Sequence, residues 1–409
     1  TEKLSAKGLN SRGISKLTKL LLSHIKDNID ETLSDSMVKR LKISKRESMH
    51  HIHFPANTTK LNQSRGFLKF EELFFLQLHL LKTRMKRVAK SKGYSFAKVG
   101  DYFNSFYNNY LSFELTGAQK RVLKEIRADL RKKEQMNRLL QGDVGSGKTL
   151  VALLSMLIAI DNNYQTCIMV PTEILAHQHF NTISSLLSEL DIRVDLLTGS
   201  TKNKIRTEIY QNLEDGNTNI LIGTHALLED KVVFQDLGLA IIDEQHRFGV
   251  VQRSKLWRKN KYPPHILVMT ATPIPRTLSM TLYGDLDVSV IDEMPPGRKN
   301  IKTIWRSESS RLQIIDFVRK QVREGRQIYI VYPLIKESEK LDYKNLIDGF
   351  ESIVREFPLP DYQVSVVHGK MKPEEKEYEM KRFVDGVTNI MVSTTVIEVG
   401  VDVPNASVM

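Results

Sequence analysis

Between Leu115 and Met269, short apolar runs alternate with longer stretches of helical texture. The runs are Arg138–Leu140, Thr166–Val170, Ile220–Ile222, Leu239–Ile242 and Ile266–Met269, and each ends at a polar or Gly/Pro loop. Brief, nearly continuous apolar segments of this kind predict strands buried on both faces of a parallel sheet, with crossover helices between them. The pattern pauses at Pro295-Pro296-Gly297 and resumes with Gln327–Val331, Tyr362–Val367 and Thr388–Val392. Two α/β units joined by a short linker follow. Upstream, Leu17, Leu20, Leu21 and Ile25 fall at helical spacing, and Phe70–Lys90 predicts a long helix that is first apolar, then basic. The expected division is a helical segment over 1–110, a first α/β domain over 111–297 and a second over 298–409.

Charge sharpens this division. The chain of 409 residues carries 60 Lys+Arg against 48 Asp+Glu, a net +12. Residues 1–110 hold 21 basic and 9 acidic residues, so they account for the whole excess. A basic face of this kind suits a polyanion, although basic helices are also often simply solvated. The single cysteine, Cys167, excludes an internal disulfide or a Cys-based zinc cluster and fits a reducing cytosol. Leu150–Ile160, interrupted only by Ser155, is too short to span a bilayer, and no leader pattern opens the chain, so neither membrane insertion nor secretion is expected.

Two motifs carry chemistry. Gly142-Asp143-Val144-Gly145-Ser146-Gly147-Lys148-Thr149 has the spacing of a phosphate loop. Its glycines let backbone N–H groups close around phosphate oxygens at a helix N-terminus, Lys148 reaches the β- and γ-phosphates, and the Thr149 hydroxyl binds Mg²⁺. Asp243-Glu244 follows the buried run Leu239–Ile242, which puts both carboxylates at a strand's carboxyl end. There Asp243 serves the metal, and Glu244 orients or deprotonates the water that attacks the γ-phosphate.

Asp243-Glu244-Gln245-His246, Thr270-Ala271-Thr272-Pro273 and Pro171-Thr172-Glu173-Ile174-Leu175-Ala176 resemble motifs of superfamily-two DNA helicases, in particular the RecG type and its relative Mfd. His53-Phe54-Pro55, with Phe70–Leu78, is similar to the segment that joins the RecG-type wedge to its motor. The resemblance implies two RecA-like parallel-sheet motor domains, the second truncated, behind a mainly helical basic segment. It implies ATP and Mg²⁺ as cofactors and branched DNA (forks and Holliday junctions) as partner, in the recombination and repair work of a bacterial cytosol or nucleoid. A monomer that contacts single-stranded-DNA-binding protein is part of the same expectation. By position, Phe113 and Gln119 would read adenine, and Thr270 and Thr272 would couple phosphate state to domain movement. Pro171, Thr172, Gly199, Thr224 and His225 would grip DNA in the first domain. In the second, His368, Gly369, Ser393, Thr394 and Thr395 would do so, with Gly400 and Asp402 facing the nucleotide.

Other readings stay open beside this one. An Mfd-like translocase and a non-hydrolysing, ATP-gated DNA scaffold use the same motifs. His50-His51-Ile52-His53 lacks the companions of a metal site and reads as structural. Phe103, Phe106, Tyr107, Tyr110 and Phe113 suit packing of a connector against the motor better than base stacking. The Lys/Arg run over 82–92 is either DNA-facing or solvated. The resemblance also places a wedge before residue 1 and an arginine-finger motif beyond Met409, so the chain as it stands is expected to bind ATP but to hydrolyse it poorly and unwind little.

Overall fold

The computed structural model describes residues 10–25, 28–90, 93–244, 262–272, 286–295, 301–332, 349–368, 371–394, 403 and 405–409. The chain divides into two compact units, residues 1–90 with 274–287, and residues 91–273 with 288–409.

The first unit is helical, as the spacing predicts: α1 (Ser11–Ile25), α2 (Asp35–Leu41), α3 (Lys45–His53) and α4 (Thr58–Lys90). Lys42, in the left-handed region at φ 59°, ends α2. Ser44 then starts α3 with a reciprocal cap: its hydroxyl accepts from the Glu47 N–H at 3.2 Å, and Glu47 Oε2 accepts from the Ser44 N–H at 3.0 Å. Leu33, Ile43 and Phe67 form a small core, and Lys45 pairs with Glu71 at 3.0 Å.

The second unit holds two sheets. The larger, in the order β3-β4-β2-β5-β6-β1-β7, contains β1 (Asn137–Gly142), β2 (Gln165–Met169), β3 (Val194–Leu197), β4 (Ile220–Gly223), β5 (Leu237–Asp243), β6 (His265–Thr270) and β7 (Asp287–Ile291). Strands β3 through β1 of that order pair in parallel. Four of them (β1, β2, β4 and β6) are buried along their whole length, and β5 is buried up to its last residue, as expected of strands covered on both faces. The smaller sheet runs β11-β8-β10-β9, all parallel, from β8 (Gln327–Tyr332), β9 (Val364–Val367), β10 (Ile390–Thr394) and β11 (Ala406–Val408). The RecA-like α/β architecture expected from the sequence is present. Three strands, β3, β7 and β11, have no counterpart among the predicted runs. β3 carries Asp195 in its middle and keeps three of four residues partly exposed, and β11 is three residues long. β9 starts at Val364 and β10 at Ile390, each two residues later than the apolar runs suggest.

The helix after β1, α7 (Lys148–Asp161), is buried at every position from Leu150 to Ile160, including Ser155, whose hydroxyl bonds back to Val151 O at 2.7 Å. A helix that is apolar all round belongs inside the core. At its far end the Asp161 carboxylate accepts from the N–H groups of Gly100, Tyr102 and Phe103 at 2.8, 3.0 and 3.2 Å, and so caps the short helix α5 (Asp101–Ser105) from outside. Phe96 and Phe106 lie fully inside the same core, with Phe103 and Tyr107 packed against it. The aromatic stretch is therefore packing, while Tyr110 and Phe113 remain exposed.

Candidate functional site

Strand register builds the site. In β1, Gln141 stands opposite Thr270 of β6; in β5, Asp243 stands opposite Met269 of β6. The three parallel strands therefore end level with one another. At about 4.8 Å per strand, the start of the phosphate loop at Gly142 and the carboxylate of Asp243 flank Thr270 within roughly 10 Å. The same alignment continues on the other side of β5. Met169 of β2 pairs with both Ile242 of β5 and Gly223 of β4, and Gly223 pairs with Leu197 of β3. So Pro171–Thr172, Gly199–Ser200 and Thr224–His225 leave from the same carboxyl edge. One half of this edge gathers the phosphate-loop and acidic motifs, the other half the three candidate strand-gripping loops.

The loop itself is held in shape by glycine. Gly145 and Gly147 adopt φ of 74° and 87°, a region costly for residues with a Cβ, and Gly147 caps α7. Lys148 Nζ folds back to donate to Gly142 O at 2.7 Å and Asp143 O at 3.0 Å. Ser146 is buried, and among the described residues its Oγ has no hydrogen-bond partner. A buried orphan hydroxyl inside a Gly-rich turn at a helix N-terminus is the donor set a phosphate needs, so the residues fit a nucleoside triphosphate. Thr149, partly exposed, follows Lys148 in the first turn. Asp143 and Val144 are exposed at the tip.

Gln119 braces this loop. It belongs to α6 (Gly117–Leu130), whose N-cap Thr116 accepts the Gln119 N–H at 3.2 Å. Its Oε1 accepts from the Thr116 N–H at 2.9 Å, and its Nε2 donates to Ser146 O at 2.8 Å. In this structure both ends of the side-chain amide are thus engaged within the protein.

Glu244 sits in the left-handed region at φ 51° and is 4% exposed. Strain of this kind in a non-glycine residue at a strand end is common at functional sites. Its N–H donates to Met269 O at 3.0 Å, and its Oε1 accepts from the Ala271 N–H at 3.2 Å. The Thr270 and Thr272 hydroxyls lie 2.9 Å from each other, and the backbone of Met269 and Ala271 ties this segment to Glu244.

The three loops on the other half are also tied. Glu173 accepts from Ser200, and Arg206 of α9 (Asn203–Glu214) donates to Thr198 O at 2.8 Å and to both oxygens of Glu229 at 3.0 Å. Thr224 is buried with its Oγ1 unpartnered among the described residues, and His225 is exposed.

In the smaller sheet, Ser393 pairs with Val331 and Val367, and Thr394 with Tyr332, so Tyr332, His368 and Ser393–Thr394 share one carboxyl edge. Ser393 is fully buried, and its Oγ has no partner among the described residues. Gly369, Thr395, Gly400 and Asp402 lie outside the described residues, as do Gln245–His246 and Pro273.

Three residues that build this edge carry no role in the sequence expectations: Glu173, which lies within the Pro171–Ala176 motif, His179 and Arg206. Only His179 carries a readable signal. On α8 (Glu173–Leu186) it stands four residues after Leu175, on the buried face. There its Nε2 lies 3.0 Å from Asp243 Oδ2. No group of three or more His, Cys, Asp or Glu suited to a metal occurs among the described residues, and no described helix is long and apolar enough to cross a membrane.

Comparison with known proteins agrees with this arrangement. The DEAD/DEAH box helicase family matches residues 116–281, and the helicase conserved C-terminal domain matches residues 310–409. ATP-dependent DNA helicase RecG of Synechocystis sp. is 47% identical over 382 residues, which is 92% of this chain and 46% of the relative. RecG of Thermotoga maritima is 43% identical over 98% of this chain and 51% of its own length, and that of Bacillus subtilis 44% over 95% and 57%. The chain spans about half the length of the curated relatives it matches. A solved structure of RecG bound to a three-way DNA junction superposes with a TM-score of 0.82 at 39% identity, covering 98% of this chain and 52% of that one. Yeast Dbp5 bound to RNA and ADP–BeF3, at 18% identity and TM-score 0.51, shares the fold.

Proposed function

Because the chain belongs to the RecG-type ATP-dependent DNA helicases, we propose that it is the ATP-driven motor of a helicase or translocase that remodels branched DNA, such as stalled forks and Holliday junctions. The observation that carries this reading is the common carboxyl edge of the larger sheet. It aligns the phosphate loop with Asp243–Glu244 on one half and presents Thr172, Ser200 and His225 on the other.

In this reading the N–H groups of residues 145–148 and the Ser146 hydroxyl hold the triphosphate, and Lys148 leaves Gly142 and Asp143 for the β- and γ-phosphates. Thr149 and Asp243 hold Mg²⁺, which neutralises charge between the phosphates. Glu244, fixed by Met269 O and the Ala271 N–H, orients the attacking water. Ala271 lies between Thr270 and Thr272, so a shift of Glu244 moves that segment directly. Gln119 holds the loop through Ser146 O; its amide keeps a second N–H and a second lone pair for adenine, and exposed Phe113 lies six residues upstream. Pro171, Thr172, Gly199, Thr224 and His225 contact one DNA strand from the first lobe, and His368 with Ser393 and Thr394 from the second. Gly369, Thr395, Gly400 and Asp402 keep the roles their motifs imply. The relatives' bacterial origin supports work in the cytosol or nucleoid; a monomer with single-stranded-DNA-binding protein as a partner belongs to the same proposal.

The test is ATP hydrolysis by the full-length protein with and without forked DNA. A fork-stimulated rate that Lys148→Ala and Glu244→Gln each reduce at least about a hundredfold supports the motor, since each acts on the transferring phosphoryl group. A rate indifferent to DNA, or to both substitutions, overturns it in favour of a non-hydrolysing scaffold.

A further inference from the structure

Asp243 is held from two sides. Its Oδ1 accepts from the N–H of Glu244 at 3.1 Å, and its Oδ2 lies 3.0 Å from His179 Nε2. An ionised carboxylate only accepts, so His179 is the donor and carries its proton on Nε2. Both side chains are largely out of solvent, at 10% and 14% exposure, where a directed bond competes little with water. A carboxylate with one neighbour would still turn about its Cβ–Cγ bond. With a donor on each oxygen, the Glu244 N–H being shared with Met269 O at 3.0 Å, the plane of the group is set and each oxygen keeps one lone pair in that plane.

The origin of His179 gives this bond its significance. Helix α8 begins at Thr172, whose hydroxyl caps it by accepting from the Leu175 N–H at 3.4 Å. Its Ile174 packs against the core of the smaller sheet, around Val367 and Met380. Its buried stripe of Leu175, Ala176, His179 and Ile183 faces the larger sheet. One rigid helix therefore touches a strand-gripping loop, the second lobe and the acidic strand end.

We infer that His179 is a positioning residue for the nucleotide site: it orients the Asp243 carboxylate toward Mg²⁺ and makes α8 the link between the DNA-gripping loop and that metal. This deepens the proposed function and rests on its assignment of Asp243 to the metal. Partners of this kind around metal ligands are worth about 10- to 100-fold in metal affinity.

The test uses the full-length protein with His179→Ala and His179→Gln, the second placing an amide donor near the position of Nε2. Binding of a fluorescent ATP analogue is titrated with Mg²⁺, and repeated in EDTA; ATPase is then measured with and without forked DNA. His179→Ala is expected to raise the Mg²⁺ concentration for half-maximal binding about tenfold or more while leaving binding in EDTA unchanged, and to lower the stimulation by DNA. His179→Gln is expected to stay within about threefold of the parent, because the donor is kept. An alanine variant with the parent's Mg²⁺ dependence overturns the inference. So does equal loss in both variants with altered binding in EDTA, the mark of a packing defect. A parent protein whose nucleotide binding ignores both Mg²⁺ and Lys148→Ala is a separate result, and it sinks the functional reading itself.

Discussion

Glu173 holds Ser200 with both of its carboxylate oxygens: Oε1 accepts from the Ser200 N–H at 3.1 Å and Oε2 from its hydroxyl at 2.5 Å. One residue from the loop after β2 thus fixes a loop after β3. Glu173→Ala acts on DNA binding in two opposed ways. It removes a negative charge from an edge that would face phosphates, a gain of a few tenths of a kcal/mol for an exposed, screened group. It also frees the Gly199–Ser200 loop by deleting two charge-assisted bonds, a loss of about 1.5–3 kcal/mol. The loss wins, and forked DNA should bind about tenfold more weakly, with ATP binding unchanged. Fluorescence anisotropy at several salt concentrations checks this. Tighter binding with a steeper salt slope would show that charge, not loop order, governs the edge.

Gly147 gives a second prediction. At φ 87° an alanine is strained by about 1–2 kcal/mol, and its Cβ would lie 2.2 Å from Gln119 Nε2. The amide cannot step aside without losing Ser146 O or the Thr116 N–H. Gly147→Ala should therefore weaken binding of a fluorescent ATP analogue by at least about tenfold, and Gln119→Ala on its own by less. Because Gln119→Ala removes the clash but not the backbone strain, the double variant should recover only part of the loss. Full recovery would assign the whole effect to the side chain.

How much of this could be read beforehand follows from what each feature depends on. The phosphate loop and the Asp243–Glu244 pair are legible because local spacing sets both, and Leu239–Ile242 before the second is a continuous apolar run, while β1 before the first holds only Leu139 and Leu140 between polar residues. That they end level was implied by parallel pairing, but the register placing Gln141 opposite Thr270 is a tertiary fact. The strand β3 has no such signature because it is half-exposed, carries Asp195 and lacks a continuous apolar run. Asp195 is absorbed locally: it accepts from Arg193 Nε at 3.0 Å and from the Thr218 hydroxyl at 2.5 Å. The roles of Glu173, His179 and Arg206 are not set by local spacing: Glu173 acts on Ser200, His179 on Asp243, and Arg206 on Glu229 as well as on nearby Thr198. The link from Thr270–Thr272 to Glu244 runs through the backbone of Met269 and Ala271, which side-chain identity alone does not reveal.

Asp161 ends the phosphate-loop helix and caps α5 across the chain, satisfying N–H groups at Gly100, Tyr102 and Phe103. Asp161→Ala leaves those donors without their acceptor at the edge of the core, and should lower stability by about 1–3 kcal/mol. Asp161→Asn keeps one acceptor and should cost about half as much. Urea unfolding followed by circular dichroism measures both. An alanine variant with an unchanged midpoint would mean that packing of Phe96 and Phe106 alone holds the segment in place.

His265 supplies a dependence on pH. It is fully buried at the start of β6, where Nδ1 accepts from the Met136 N–H at 2.8 Å and Nε2 donates to Tyr94 O at 2.8 Å. The neutral ring satisfies both partners. Burial disfavours the charged ring, more than the bond to Tyr94 O favours it, so the pKa falls from the ordinary 6.5 to about 4. The unfolded chain takes up this proton near pH 6.5 and the folded chain only near 4. The contribution to stability is therefore whole above about pH 6.5, declines as pH falls below it, and is lost once pH passes through about 4. The difference between the two titrations amounts to about 2 kcal/mol at pH 5. The unfolding free energy from urea denaturation should fall by that amount between pH 8 and pH 5, beyond the change seen in His265→Gln, which keeps a donor and an acceptor but cannot titrate. If the variant's unfolding free energy falls just as steeply, carboxylates elsewhere account for the acid lability and His265 does not.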